Sequence, residues 1–412
     1  MTFRIAAFRA CVFVVVGVGA FFLLAGFDLV WVAGVQHGGL REVYVKNGQG
    51  MPDAVVSVSL SPSTSATTLG THKPFPSVAD WKAQNGSLWT LSYVGKLKYT
   101  DQMADKNLQG DKCRTGSIGG RVIWSCGDME CAGGVSVCGF SMGPAFYGTS
   151  DPMTVDTDGV SNPDENLFAR AWEGDPRPVA PQWAWGMDTS NVAEINATHG
   201  VAFVWEIWRG ASDGNHVDRG AGAVSVTLGP NRPVAARVGP LLSDAKALQV
   251  GLIGIMRDGE YIYSYSSGGP SNVVVGRVRA NDDVFSPSAY EFLRFKEQTW
   301  ERTGGIISAD ARDYGARTAN AGGRFGCAVY GSVFWSDAWG KYVLLCNIFM
   351  HFTKMHVADK PEGPWSAEYP ILGGVLGYGS HAHPEFGTNP LYFSQGPNGP
   401  FDVYKITTNF PE

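Results

Sequence analysis

Two aspartates, Asp111 and Asp128, flank a stretch that otherwise reads as structure: Cys113, the pair Gly119-Gly120, the run RVIWSC and Cys126. A Gly-Gly pair followed by an apolar, β-branched run is the signature of a tight hairpin. With these glycines as the turn, antiparallel pairing sets Ile118 opposite Arg121, Cys113 opposite Cys126 and Asp111 opposite Asp128. Directly opposed residues carry Cβ atoms roughly 4.5–5.5 Å apart, within disulfide reach for the cysteines and close enough for two carboxyls to contest one proton. The chemistry that asks for such a pair is acid/base or nucleophilic work, one group ionised and the other protonated. Two solvated loop aspartates flanking a disulfide would look the same in sequence.

Further candidates are scattered downstream. Glu206 lies in VAFVWEIWRG among Trp205 and Trp208; indole surroundings would raise its pKa and suit a general acid, whereas an outward strand position would give it no role. Asp188 ends the aromatic stretch WAWGMDTSN, as a reaching carboxylate or as an Asx turn. His381 and His383, with Glu385, form SHAHPEF. A spacing of two in extended chain puts both imidazoles on one face, suiting a metal or a hydroxyl-rich ligand, or hydrogen bonds that tie two structural units together. No C-x-x-C, P-loop, H-E-x-x-H or G-x-S-x-G motif occurs, so we assign no metal and no cofactor.

The elements that must position these residues are strands. The chain has 412 residues, 53 of them Gly, is rich in aromatics, and has almost no Ala/Leu/Glu/Lys helical tract, which favours one large all-β domain. A net charge of −6 with no basic run excludes nucleic acid as a partner. At the start, Arg4 and Arg9 precede an apolar run to Val35, so residues 1–35 read as a signal peptide or a signal anchor, the only expected link to a membrane. Either implies a secreted or surface-held protein. The sequons at Asn85 and Asn196 would then be usable, and the six cysteines after Cys11 would pair, most simply as Cys113–Cys126, Cys131–Cys138 and Cys327–Cys346.

Residues 36–87 are Ser/Thr/Pro-rich and read as a lead-in with one strand at Ala54–Leu60; residues 88–412 form the folded domain. Inner strands are expected at RVIWSC, VAFVWEIW, EYIYSY, KYVLLCNI and PLYFSQ, each with a following strand, as in GAVSVTL, NVVVGRVRA, FTKMHVA and FDVYKITT. Five units of roughly 65 to 70 residues suit a five-bladed β-propeller, with LWTLSYV completing the last blade. Two segments, SDAKALQV and SAYEFLRFKEQTW, carry a helical pattern.

CRTGSIGGRVIWSCGDME resembles the first-blade signature of the five-bladed propellers catalogued as domain of unknown function 4185 and their fungal relatives. YEFLRFKEQTW, SVFWSDAWGKYVLL, MHVADKPEGPWSAEYPI and YGSHAHPEFGTNPLYFSQGPNGPFDVYKIT are similar to its later units, in the same order. The resemblance spans about Asp111 to Thr408 and departs at Met129, where the family has Thr. It implies a secreted, carbohydrate-active propeller of the endo-D-arabinanase kind, acting on a furanosidic or related polysaccharide or oligosaccharide; a monomer is expected. Asp111 and Asp128 match its two first-blade aspartates, and Tyr378 and Arg114 would be sugar contacts by stacking and bidentate bonding. A carboxyl pair about 5 Å apart would retain anomeric configuration, with Asp128 as nucleophile and Asp111 as acid/base. A propeller that only binds glycan or protein is the other reading.

Overall fold

The structure is a computed structural model that describes residues 21–23, 30–32 and 75–410, except 84, 107, 132–139, 159–167, 180–182, 211–214, 270, 328–329, 349–351, 374–377 and 397–400. Phe21–Leu23 and Val30–Val32 pair as two short antiparallel strands, and the strand expected at Ala54–Leu60 lies outside the described residues. No helix among the described residues is long and apolar enough to cross a membrane.

From Trp89 to Thr408 the chain is a five-bladed β-propeller. Blade I runs outward through Cys113–Ile118, Arg121–Cys126, Ala145–Gly148 and Thr154–Asp156, with Lys98–Tyr99 added parallel at its edge. Blade II has an inner strand in two pieces, Trp183–Thr189 and Ala193–Asn196, both paired to His199–Gly210, then His216–Leu228 and Pro233–Arg237. Blade III starts at Gly254–Asp258, blade IV at Gly331–Ser336 and blade V at Tyr378–Ala382. Blade V continues through Leu391–Gly396 and Asp402–Thr408 and is finished by the N-terminal strand Trp89–Lys96, with Ile406 opposite Leu91. LWTLSYV therefore completes the last blade as expected, pairing as its outermost strand and covering the outer edge of Asp402–Thr408.

Alternation explains the core. In blade II, Val201 and Phe203 turn toward blade III and join Ile255, Ile262 and Val274, while Ala202 and Val204 turn toward blade I and join Ile123 and Tyr147. In blade III, Tyr263, Val273 and Val275 meet Val333 and Leu344 of blade IV. Each strand in mid-blade is thus apolar on both faces, and the clusters lie between neighbouring blades.

That double burial corrects the assignment of inner strands. RVIWSC, VAFVWEIW, EYIYSY, KYVLLCNI and PLYFSQ are second strands, and their partners GAVSVTL, NVVVGRVRA, FTKMHVA and FDVYKITT are third strands. The true inner strands, such as CRTGSI, GIMRD and YGSHA, carry polar and Gly residues because they line the axis. Neither segment with a helical pattern forms an α-helix; only Ser288 and Ala289 at the start of the second fall in a single 3-10 turn, Pro287–Ala289. Tyr290 and Phe292 are buried against blade II, Glu291–Leu293 pairs back on Trp300–Arg302, and Gln298 takes a positive φ in the turn between. Ser243–Val250 is a chain of turns whose Leu248 amide donates to the Ile307 carbonyl.

The helix Val78–Ala83 packs against blades IV and V rather than standing free. Trp81 is fully buried, stacks on Trp89 at 4.4 Å between ring centroids and donates to the Pro370 carbonyl at 3.0 Å.

Candidate functional site

The hairpin that opens blade I forms in the expected register. Cys113 lies opposite Cys126, with a disulfide between them, and Ile118 lies opposite Arg121. The turn glycines sit at φ +57° and +78°, values that favour Gly. Beyond the disulfide the ladder continues through the bend at Gly127: the Gly127 amide donates to the Lys112 carbonyl at 2.7 Å, and the Asp111 amide to the Asp128 carbonyl at 3.1 Å. Gly110 then faces Met129 in a small sheet of Leu108–Gly110, Asp128–Cys131 and Phe140–Met142. Cys327–Cys346 is a second disulfide, and Cys131 is disulfide-bonded too; Cys138 lies outside the described residues.

Asp111 is buried, and its carbonyl is backed by blade V at two glycines: a Cβ on Gly379 or Gly396 would come within 3.0 or 2.6 Å of that oxygen. The Asp128 carboxylate, 12% exposed, accepts from the Arg209 guanidinium at the raised end of blade II. Side chains alternate as the strand enters the axis, so Lys112 and Arg114 share one face and Cys113 and Thr115 the other.

Lys112 and Arg114 cross the axis. Lys112 Nζ donates to Asp188 at 2.6 Å and stands 3.4 Å over the Tyr330 ring of blade IV. Arg114, 1% exposed, donates to the Thr189 carbonyl of blade II and, at 2.7 Å, to the Leu252 carbonyl at the entry to blade III. Its Nη1 lies 4.0 Å from Asp188. His381 completes the ring from blade V, its Nδ1–H donating to the Gly331 carbonyl at 2.8 Å. Burial, reinforced by the charges of Arg114 and Lys112, pushes the His381 pKa well below the ordinary imidazole range, so the ring is neutral. Arg114 and Asp188 thus meet at the axis, Asp188 through its ion pair with Lys112.

The remaining candidates sit elsewhere. His383 does not share a face with His381, because the strand ends at Ala382. It is a tie between the last blade and the first: Nε2 accepts from Ser394 at 2.8 Å, Nδ1–H donates to Thr115 at 3.2 Å, and Thr115 donates to Glu385 at 2.5 Å. Burial drives His383 down to about 3 and pushes Glu385 up. Glu206, 1% exposed, is held within blade II by Arg237 at 3.3 Å, which also binds Asp175 at 3.1 Å. Tyr378 opens the inner strand of blade V, and its side chain lies outside the described residues. No group of three or more metal-ligating side chains occurs among the described residues.

Sequence reasoning missed Lys112, Arg209 and Tyr330. Lys112 could have been found, since it alternates with Arg114 on a strand that the hairpin register already fixed. Arg209 reaches the site through the packing of blade II on blade I, and Tyr330 of blade IV through the closure of the ring, which no local pattern signals.

No family model matches the chain, and no curated protein matches it. Among solved structures it is similar to a protein of Bacteroides ovatus provisionally named a hydrolase, at 14% identity and a TM-score of 0.51, covering 85% of this chain and 93% of that one. An exo-beta-1,3-galactanase from Phanerochaete chrysosporium, solved with beta-1,3-galactotriose, is similar at 12% identity and a TM-score of 0.45, over 77% of this chain and 64% of that one. The GH43_1 enzyme from Xanthomonas citri, solved with xylose, is similar at 14% and 0.42, over 74% and 87%. At 14% identity the likeness to the Bacteroides ovatus protein is one of fold alone.

Proposed function

We propose that this protein is an extracellular glycoside hydrolase whose reaction takes place at the end of the axis where the inner strands begin. One observation carries the reading: charged and polar side chains from blades I, II, IV and V converge there, with Lys112 bridging Asp188 and Tyr330 and with Asp111 and Asp128 at the strand entry. Such a cluster has little value for stability, since a buried ion pair seldom outweighs its desolvation. It has clear value for a polyhydroxyl substrate whose reacting carbon develops positive charge. Asp128, facing a guanidinium, takes the nucleophile's role, and Asp111 the acid/base role. The substrate class is a furanosidic or related wall polysaccharide, as the first-blade resemblance implies, and the disulfides suit an oxidising compartment.

The test is a screen of the purified protein on arabinan, xylan and galactan oligosaccharides, with the product anomer followed by proton NMR. Turnover with retained configuration, abolished in Asp128→Asn, is the expected result. An inverted product would move the second role to a more distant carboxyl such as Asp188. A second reading, a propeller that binds glycan without cleaving it, draws on the ion pairs of Asp128, Asp188 and Glu206, which engage those three carboxylates with the chain's own cations. Binding with no turnover on any glycan would select it.

A further inference from the structure

Away from the axis, a cleft of about 450 Å³ lies along the outermost strand of blade II. One wall is Phe168 to Glu173 and the other is Arg232 with Pro233–Arg237, whose outer edge pairs with no described strand. None of the axial side chains lines it. Its volume falls in the ordinary range for small-ligand sites.

Three features of the lining point to one ligand chemistry. First, the Arg237 side chain is 3% exposed and its two terminal nitrogens are taken by Glu206, Asp175 and the Gly239 carbonyl, yet its Nε–H is buried with no acceptor. A donor buried this way behind a cleft wall is costly, and a ligand oxygen meets it only when the wall side chains shift to admit one. Second, the wall presents a half-buried indole, Trp172, which rests on Gly174; a Cβ there would come within 2.5 Å of the ring. Phe168 and Ala169 fix this wall by burying themselves in the core between blades I and II. Third, charge is balanced: Arg170, Arg232 and Arg237 are matched by Glu173 at the surface and by Asp175 and Glu206 behind. An ion gains nothing from a balanced site, whereas vicinal hydroxyls can both accept from a guanidinium and donate to a carboxylate, with a sugar's C–H face on the indole.

We propose that this cleft is a second saccharide site that holds one or two neutral sugar units of a polymer while the chain's main site engages it elsewhere. The class of ligand rests on the glycan reading above; the site itself does not depend on hydrolysis.

The test is affinity electrophoresis of the full chain in native gels containing arabinan, xylan, arabinogalactan or, for an acidic comparison, polygalacturonate. Retardation by at least one neutral polymer is expected. Trp172→Ala and Arg170→Ala should each raise the apparent dissociation constant about tenfold, the loss of one stacking or forked contact. Tyr93→Ala, an exposed aromatic on blade V, should leave it unchanged. Arg170 is exposed, so its variant does not put folding at risk. Retention by polygalacturonate alone, equal retention of both cleft variants, or no retention by any polymer would overturn the proposal. Cleft-dependent retention without turnover would sink the hydrolase reading and leave this one standing; turnover without cleft-dependent retention would do the reverse.

Discussion

Acid should unfold this propeller well above the pH at which its carboxylates titrate, and three buried histidines are the cause. Burial holds His356 down to about 4 and His383 to about 3, and His381 well below the ordinary value of 6.5. Above pH 6.5 these rings are neutral whether the chain is folded or not, and they add no pH dependence. As pH falls below 6.5 the unfolded chain takes up protons that the folded chain refuses, so stability drops until the folded values are reached. At pH 5 each histidine costs about 2 kcal/mol relative to pH 7.5, or about 6 kcal/mol for the three. Glu385 acts in the opposite sense, since its raised pKa favours the folded state at low pH and offsets part of the loss. A net fall of about 4 to 6 kcal/mol is a large share of an ordinary domain's stability. Urea unfolding followed by tryptophan fluorescence at pH 7.5, 6.5, 5.8 and 5.0, at constant ionic strength, measures it. His383→Gln should flatten the dependence by about a third. A stability unchanged between pH 7.5 and 5, or a variant with the parent's slope, would refute the reasoning.

Peptide mapping without reduction should recover Cys113 joined to Cys126, and replacing both by Ala should cost about 3 kcal/mol, the value for a loop of this length. Removing Asp402–Thr408 strips the partner from both Leu391–Gly396 and Trp89–Lys96, and the truncated protein should be insoluble; a soluble, cooperatively melting product would disprove closure by that strand. Trp81→Ala should destabilise by about 3–5 kcal/mol in thermal or urea unfolding, because the indole is fully buried on Trp89.

The parts of this fold that the sequence disclosed are those whose cause is local. Gly119-Gly120 fixes a turn, the turn fixes a register, and the register fixes Cys113 against Cys126; nothing distant takes part. Five repeats of paired strands were visible because mid-blade strands are apolar on both faces. The same fact misdirected the choice of inner strands, since inner strands such as CRTGSI and YGSHA carry the polar and Gly residues that line the axis. Tyr290, Leu293 and Glu297 carry helical spacing by coincidence, and the packing of Tyr290 and Phe292 against blade II overrides it. At the site, Asp111 and Asp128 could be registered from the hairpin, but the ion pairs of Asp128 with Arg209 and Asp188 with Lys112 join residues about 80 positions apart. His381 and His383 looked equivalent until the strand ended between them.

The closing of blade V by Trp89–Lys96 also sets an order of events in synthesis. This strand leaves the ribosome before any other strand of the ring, while its partner Asp402–Thr408 leaves after all of them, so more than 300 residues must emerge before the two can pair. Blades I to IV can each form from contiguous chain as they appear. Throughout that interval the early strand stays a bare edge with unpaired amides, exposed to other nascent chains. Maturation of this protein is therefore gated by its last blade, and chaperone dependence or loss to aggregation should concentrate in that window.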